Sequence, residues 1–475
     1  MTFDREKKMK SDRQFKKPTA QRQPGALQAV NGRQLAYLIL KDVFEKEEYV
    51  SLCLDRHFRQ STIPLIEKRL CTKIVYSVFD NLIQLDHILS HFLEDPDRLL
   101  LSVRNVLRIG LCQIRFLEKI PDNAAVDESV KLIKWAEGMK YAGLVNAVLR
   151  KTITSGNSVV WPNAETAPSE YISVIDSVPP ELAEILINDY GFETAHKMCS
   201  FRGDHAVTIR PNMMRFTSPE KFEAFLRTKV WTFERSDILN VWFIRGLSNV
   251  GKDMGYQDGQ YSIEGVSSIL AADALEVKGG MSVLDCCSAP GGKTAYIAEK
   301  MNGSGRIIAW DIHSHRVDLI RAMVKRLSLD NVRPCQHDAL SLKEDYIDNF
   351  DRVLIDAPCT GTGVMDNKPD IKMHFDLDQM NELVGIQKKL LDTCCRYVKP
   401  GGILVYATCS LLKSEGEKQI VSFLHDHPEF DLEKIPAYDA LPVFEGDSSK
   451  GYRILTGAHS GLDGFFFARL RRNIK

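Results

Sequence analysis

The stretch Val283-Leu-Asp-Cys-Cys-Ser-Ala-Pro-Gly-Gly-Lys-Thr294 constrains this chain more than any other. An apolar run gives way to small residues and a Pro-Gly-Gly turn, and the alanine- and isoleucine-bearing segment 295–301 continues as a helix. Strand, tight loop and helix start together aim backbone N–H groups and the positive end of a helix dipole at a ligand. A second apolar run, Arg306-Ile-Ile-Ala-Trp-Asp311, ends in a carboxylate that can accept hydrogen bonds from both hydroxyls of a ribose. The loop has neither the Gly-x-x-x-x-Gly-Lys-Ser/Thr spacing of a phosphate cradle nor a full Gly-x-Gly-x-x-Gly, which points to a nucleoside without a pyrophosphate. S-adenosylmethionine fits best. Taken by itself, the loop leaves open a plain strand-to-helix turn whose glycines serve only φ freedom.

Strands and helices alternate after this loop. Helices are expected at 313–327 and 381–398, and strands at 332–336, 352–355 and 403–407, with a late antiparallel strand at 464–470 and a helix at 263–275 leading into the loop. Such alternation implies a parallel, doubly wound, Rossmann-like α/β domain over 259–475, with ligands at the carboxyl ends of its strands. A chain of 475 residues has room for about three domains. Helical stripes such as Leu35, Leu38, Ile39 and Val43, or Val103, Leu107 and Leu111, mark 27–152 as an all-α domain. The Ser-, Thr-, Asn- and Pro-rich stretch 153–170 reads as a linker, and 171–258 as a small α+β unit in which Pro180 opens a helix that Gly191 closes. The first 26 residues read as a basic disordered tail, because Met1 to Gln23 carries eight Lys or Arg against three Asp or Glu.

No apolar run approaches about 20 residues, which argues against a membrane span or secretion and for the cytoplasm. Eleven cysteines without a Cys-x-x-Cys pair argue against a disulfide framework and against a metal site. The adjacent pairs Cys286-Cys287 and Cys394-Cys395 fit small buried thiols.

Two strand ends deliver a cysteine to the edge where the ligand should lie. Asp356-Ala-Pro-Cys359-Thr-Gly-Thr-Gly follows one strand, and Tyr406-Ala-Thr-Cys409-Ser410 ends another. Either alone reads more readily as structural, whereas two at one edge beside a cofactor loop suggest chemistry.

Cys-Ser-Ala-Pro-Gly-Gly-Lys at 287–293, Asp-Ala-Pro-Cys at 356–359, Pro-Asp-Ile-Lys at 369–372 and Thr-Cys-Ser at 408–410 together resemble the Nop/Sun family of RNA cytosine-C5 methyltransferases. At the front, 120–130 and 142–151 resemble the helical RNA-binding domain of the antitermination factor NusB. The combination is similar to the family's bacterial members acting on small-subunit ribosomal RNA. Ser288 departs from the alanine common in the family, a small change that should leave the loop intact.

The resemblance implies a multidomain enzyme that transfers a methyl group from S-adenosylmethionine to C5 of a specific cytosine of 16S ribosomal RNA, cytosine 967, before the subunit is fully assembled. It implies a monomer working in the cytoplasm without membrane contact. Transfer RNA as substrate, and a non-catalytic RNA-binding assembly factor, are the alternatives. Carbon 5 of cytosine is a poor nucleophile, so a thiolate first adds to carbon 6. The family's pattern gives that attack to Cys409 and the breakdown of the adduct to Cys359. Asp356 would hydrogen-bond the base's N3/N4 edge, and Lys293 would orient Asp356 or lower a thiol pKa. The cofactor would be held by Cys287, Ser288, Ala289, Pro290, Gly291, Gly292 and Lys293, with Asp311 and Asp338 at its ribose and adenine and Asp356 close by. Lys372 reads either as a solvated lysine or as a phosphate contact, and Arg469, Arg471, Arg472 and Lys475 as a solvated basic edge.

Overall fold

The computed structural model describes residues 28–474, apart from 204–205, 248, 440, 442–443, 445–448 and 458–460. The basic tail expected at 1–26 and Lys475 lie outside the described residues.

Seven helices form the front: α1 (Gly32–Lys46), α2 (Val50–Gln60), α3 (Leu65–Asp80), α4 (Leu82–Phe92), α5 (Leu101–Phe116), α6 (Asp122–Glu137) and α7 (Ala142–Thr154). Asn31 starts α1 by accepting the N–H of Gln34 on its side chain. The expected stripes close one core, with Leu35, Ile39, Val43, Val103 and Leu107 all buried. The stretch expected as a linker instead belongs largely to this domain. Val159 is buried in the same core and Trp161 stacks on His87 with ring centroids 5.5 Å apart, which covers apolar surface that a free linker would leave wet.

The middle of the chain divides in two. Helices α8 (Pro168–Asp176), α9 (Pro180–Tyr190) and α10 (Phe192–Ser200) share a core with Met365, Leu411 and Leu412 of the catalytic region. Gly191 ends α9 at φ +79°, a conformation that glycine takes at low cost. Then β1 (Val207–Pro211), α11 (Pro219–Leu226), β2 (Thr232–Arg235), β3 (Trp242–Arg245), α12 (Met254–Gln257) and β4 (Tyr261–Ile263) follow, with the four strands forming an antiparallel sheet in the order β2-β3-β1-β4. The single helix expected over 263–275 is thus a strand end followed by α13 (Val266–Asp273). Tyr261 and Ser262 pair with β1, and Gly265 at φ −68° and ψ 146° caps the helix that follows. Buried Arg210 on β1 donates to Glu264 at 2.9 Å and to Glu299 at 2.7 Å, fastening this sheet to the catalytic domain.

That domain contains β5 (Ser282–Asp285), α14 (Gly292–Lys300), β6 (Arg306–Asp311), α15 (Ser314–Leu327), β7 (Val332–Gln336), β8 (Phe350–Asp356), α16 (Asp370–Met373), α17 (Leu377–Cys394), β9 (Val398–Thr408), α18 (Glu417–Asp426), β10 (Phe430–Leu432), α19 (Pro436–Asp439), β11 (Tyr452–Ile454) and β12 (Phe465–Arg472). The sheet runs β10-β12-β9-β8-β5-β6-β7, parallel from β9 to β7, with β12 antiparallel to β9 as expected and β11 beside it. Its strand order reverses between β5 and β8, and a crevice opens at such a switch point beyond the strands' carboxyl ends. Arg469 on β12 is not solvated surface. It is buried and paired with Glu276 at 2.8 Å and Glu433 at 3.0 Å, while Arg471 and Arg472 pair with Glu433 and Asp348. No helix among the described residues is long and apolar enough to cross a membrane.

Candidate active site

The loop from Cys286 to Gly291 leaves β5 at the switch point and enters α14, which begins at Gly291 without a side-chain cap. Its first-turn N–H groups therefore face the crevice. Gly291 has φ +110°, and a Cβ there would meet Met323 Cε at 2.4 Å, so this position admits only glycine without rearrangement. The Ala289–Pro290 peptide is cis. Ser288 ties the loop to the neighbouring strand, its N–H and its Oγ both donating to the Trp310 carbonyl at 2.8 Å. Under the loop lies Asp285, fully buried and accepting from Thr294 Oγ1 at 2.6 Å, and burial pushes its carboxyl up to about 7. Burial likewise drives the Cys287 thiol well above its ordinary value. Sequence reasoning missed Asp285, although it stands within the motif.

Asp311 ends β6, as the spacing requires. Its carboxylate is buried, accepts the N–H of His313 at 3.1 Å and lies 3.5 Å from Arg316 Nε. Asp338 sits in the turn after β7 and accepts the N–H of Leu340 at 3.0 Å, so one of its oxygens serves its own turn.

At the ends of β8 and β9, four groups named from sequence come together. Lys293 Nζ donates to Asp356 Oδ2 at 2.7 Å. Burial would lower this ammonium, but the adjacent Asp356 carboxylate raises it above the ordinary lysine value, so it stays charged. Cys359 Sγ and Cys409 Sγ are 3.3 Å apart. The hydrogen bond from Cys359 holds the Cys409 thiol below its ordinary pKa in spite of burial, with Lys293 helping, while the same contact and burial hold Cys359 well above. Of the two thiols, Cys409 is therefore the more acidic and gives up its proton first.

Behind the cysteines lies a hydrogen-bonded scaffold that the sequence did not disclose. Glu415, fully buried, accepts from Thr360 N at 3.0 Å, Thr360 Oγ1 at 2.5 Å and Gln387 Nε2 at 2.9 Å. Gly363 N donates to the Cys409 carbonyl at 3.0 Å, and a Cβ on Gly363 would lie 1.9 Å from the Gly464 carbonyl. The glycines of Thr-Gly-Thr-Gly after Cys359 were the signal that could have disclosed this close approach; nothing local marked Glu415. Lys372 is corrected on both of its readings. It is buried, and it donates to the Asp176 carbonyl at the end of α8 at 3.2 Å, away from the cysteines.

Set against known proteins, residues 272–471 match a family described as 16S rRNA methyltransferase RsmB/F, and residues 30–154 match the NusB family. A protein named probable ribosomal RNA small subunit methyltransferase B, from Bacillus subtilis, is 33% identical over 93% of this chain and 98% of its own length. The chain belongs to the RsmB/F family of 16S rRNA methyltransferases. A family member named ribosomal RNA small subunit methyltransferase B, from Thermus thermophilus, is 29% identical over 94% of this chain and 99% of its own. The solved structure of PH0851 covers 94% of this chain and 99% of its own with a TM-score of 0.77 and 25% identity. NSun6 from Pyrococcus horikoshii, solved with SFG, covers 63% of this chain and 100% of its own at 22% identity and a TM-score of 0.57, which speaks to the fold.

Family members depend on S-adenosylmethionine. The residues here fit that cofactor: an uncapped helix start and, at the next strand end, the buried Asp311 carboxylate offer donors and an acceptor suited to a nucleoside.

Proposed function

We propose that the chain methylates carbon 5 of a cytosine in small-subunit ribosomal RNA through a covalent adduct of Cys409. The observation that carries this reading is the 3.3 Å contact between Cys359 and Cys409, in which Cys409 is the more acidic thiol.

The Cys409 thiolate adds to carbon 6 of the base, and the electron pair displaced from the ring's 5,6 double bond makes carbon 5 nucleophilic. Asp356, fixed by Lys293, hydrogen-bonds the N3/N4 edge by accepting from the N4 amino group, and the Lys293 ammonium beside it offsets the negative charge that develops on the ring. Bound S-adenosylmethionine supplies an electrophilic methyl group. Once carbon 5 carries that methyl group, its proton passes to water, the electron pair it leaves restores the 5,6 double bond, and Cys409 is expelled as thiolate. Cys359 serves this breakdown of the adduct. Asp311, with Asp338 beyond it, holds the cofactor's nucleoside, and the loop at 287–293 holds the remainder.

The two cysteines give the test. Cys409→Ala lacks the attacking thiolate, so it loses methylation and forms no covalent complex with RNA. Cys359→Ala retains attack and methyl transfer but releases product slowly, leaving protein attached to RNA in a denaturing gel. The opposite pattern exchanges the roles, and methylation untouched by either change refutes the mechanism. Running the assay on protein-free small-subunit RNA, assembled subunits and transfer RNA, with the modified base mapped, decides among substrates and tests cytosine 967.

A further inference from the structure

Both cysteine loops are fastened to one carboxylate. Glu415 lies fully buried just before α18, and its side chain accepts from Thr360 N at 3.0 Å and from Thr360 Oγ1 at 2.5 Å, at the residue that follows Cys359. Gln387 on α17 completes the grip on that loop, because its amide donates both to Glu415 Oε1 and to the carbonyl of Pro358, which precedes Cys359, each at 2.9 Å. Cys359 is thus held from both sides. The Thr360 hydroxyl lies 3.3 Å from the hydroxyl of Ser410, the residue after Cys409, and Tyr406 on β9 donates its hydroxyl to the Glu415 carbonyl at 2.8 Å. One residue therefore ties the ends of β8 and β9 together around the 3.3 Å contact of the thiols.

The groups that hold Glu415 are all neutral donors, so it stays a carboxylate without needing to donate. Among the described residues no ion pair engages it, and a buried charge without a counter-ion acts on its neighbours more strongly than it would in water. That charge bears on Cys359. Its thiol is held well above the ordinary value first by the contact with Cys409, then by burial, and further by the charges of Cys409 and Glu415. Cys409 is held below its ordinary value by the hydrogen bond from Cys359, against burial and Asp356, with Lys293 and Lys368 assisting. Tyr406 and Arg453 also face this scaffold, through the Glu415 and Ser410 carbonyls.

We propose that Glu415 is the positioning residue of the cysteine pair: it sets the two loops in register, and its charge makes Cys359 the thiol that keeps its proton and Cys409 the one that attacks. The proposal rests on the reading of the pair as the nucleophile of a methyltransferase and its partner. The productive state then has Cys409 ionised and Cys359 protonated, so the rate rises with pH as Cys409 loses its proton and falls again as Cys359 does.

Both cysteines are partly exposed, which opens them to iodoacetamide. The wild type, Glu415→Gln and Glu415→Asp are labelled across the neutral and alkaline range, each cysteine being read in its own peptide by mass spectrometry, and single-turnover methylation is followed over the same range. Glutamine keeps the bonds, since its oxygen accepts from Thr360 N and Gln387 while its amide donates to a reversed Thr360 hydroxyl, and it removes the charge. In Glu415→Gln, Cys359 is labelled roughly tenfold faster near neutral pH, the scale for taking away one nearby charge, and the alkaline limb of the rate profile moves to lower pH. Glu415→Asp keeps the charge and restores both. A glutamate that only supported the fold would lower activity and move neither, so unchanged labelling of Cys359 or an unmoved alkaline limb in Glu415→Gln overturns the proposal, as does an aspartate variant that behaves like the glutamine one. Thr360→Val is independent of that variant's folding: it removes the hydroxyl bridge, leaves the charge and keeps the wild-type order of labelling, Cys409 before Cys359. A reversed order there gives the role to the bridge and overturns the proposal. Methylation of protein-free small-subunit RNA by the wild type is measured separately. Its absence sinks the reading of the site and leaves the labelling order standing, whereas its presence with labelling unmoved in Glu415→Gln sinks only the role of Glu415.

Discussion

Lys293 is half-buried and Lys372 buried; both stand in recognisable motifs and both lie on segments that flank the cysteine loops, yet their surroundings are opposite. Lys293 meets a carboxylate at 2.7 Å, and Asp356 raises its pKa against the pull of burial. Lys372 donates to a backbone carbonyl, and burial, with Arg202 acting in the same sense, lowers it to about 8 against the weaker pull of Asp80. A cation paired with a charge next to an acidified thiol can act on developing charge, whereas one that holds a helix end against a loop is there for assembly. The segment around Lys372 has that second role throughout. Asp370 accepts the N–H of Val50 at the start of α2 at 2.9 Å, Met373 packs on the front core, and His374 lies against Tyr49 with ring centroids 5.2 Å apart. The helical front is therefore seated on the loop that follows Cys359.

The sharpest way to break this comparison is to remove each ammonium while keeping the side-chain length. Lys293→Met leaves Asp356 unpaired beside the site and should lower kcat by roughly a hundred- to a thousandfold, the scale for losing one group that stabilises developing charge. Lys372→Met should keep kcat near the wild-type value. Single-turnover methylation of the two variants checks this, and equal losses would erase the distinction.

A smaller effect distinguishes them by pH. In the folded chain Lys372 gives up its proton near pH 8, whereas an unfolded lysine holds it to about 10.4, so between those values the unfolded state binds more protons. Stability therefore rises as pH increases from about 8 to 10.4, by about 3 kcal/mol from this group. Below pH 8 the burial cost is fully present. Denaturant unfolding across this range should show the rise in the wild type and its loss in Lys372→Met, and a wild-type profile matching the variant's would contradict the assignment.

Legibility followed the range of the interactions. The strand–loop–helix turn at 283–294, the carboxylate closing β6 and the cysteines at the ends of β8 and β9 were readable in position because each is a local device: glycine at a forced φ, a carboxylate at a strand end, a thiol in a polar turn. The helical stripes of the front were readable for the same reason. Glu415, Arg469 and Lys372 were not, because their partners lie far away in sequence: Gln387 for the first, Glu276 and Glu433 for the second, Asp176 for the third. Polarity alone sends such residues to the surface, and only their partners explain their burial. The stretch at 153–170 misled similarly, since Val159 and Trp161 carry no periodicity by which to find their core.

On the cofactor side, the comparison can be sharpened at Asp311. Among the described residues its buried carboxylate accepts one hydrogen bond, from His313 N, and has Arg316 Nε 3.5 Å away, which leaves acceptor capacity for a ligand. Asp311→Ala should weaken S-adenosylmethionine by about 1–3 kcal/mol in calorimetry, the scale for leaving buried polar partners unpaired. Unchanged affinity would move the ribose elsewhere.

Ser288 gives the smallest effect and separates two functions within one loop. Its Oγ points away from the crevice and donates to the Trp310 carbonyl, which also accepts the backbone N–H of the same residue at 2.8 Å. In Ser288→Ala the hydroxyl donor and its hydrogen bond vanish together, and the carbonyl keeps its backbone partner, so no buried group is stranded. The cost should be that of one ordinary hydrogen bond, about 0.5–1.5 kcal/mol of stability. Cofactor affinity should not change, since the backbone bond alone keeps the loop registered against β6. A loss of affinity comparable to that of Asp311→Ala would mean that the hydroxyl, and not the backbone bond, sets the position of the cradle.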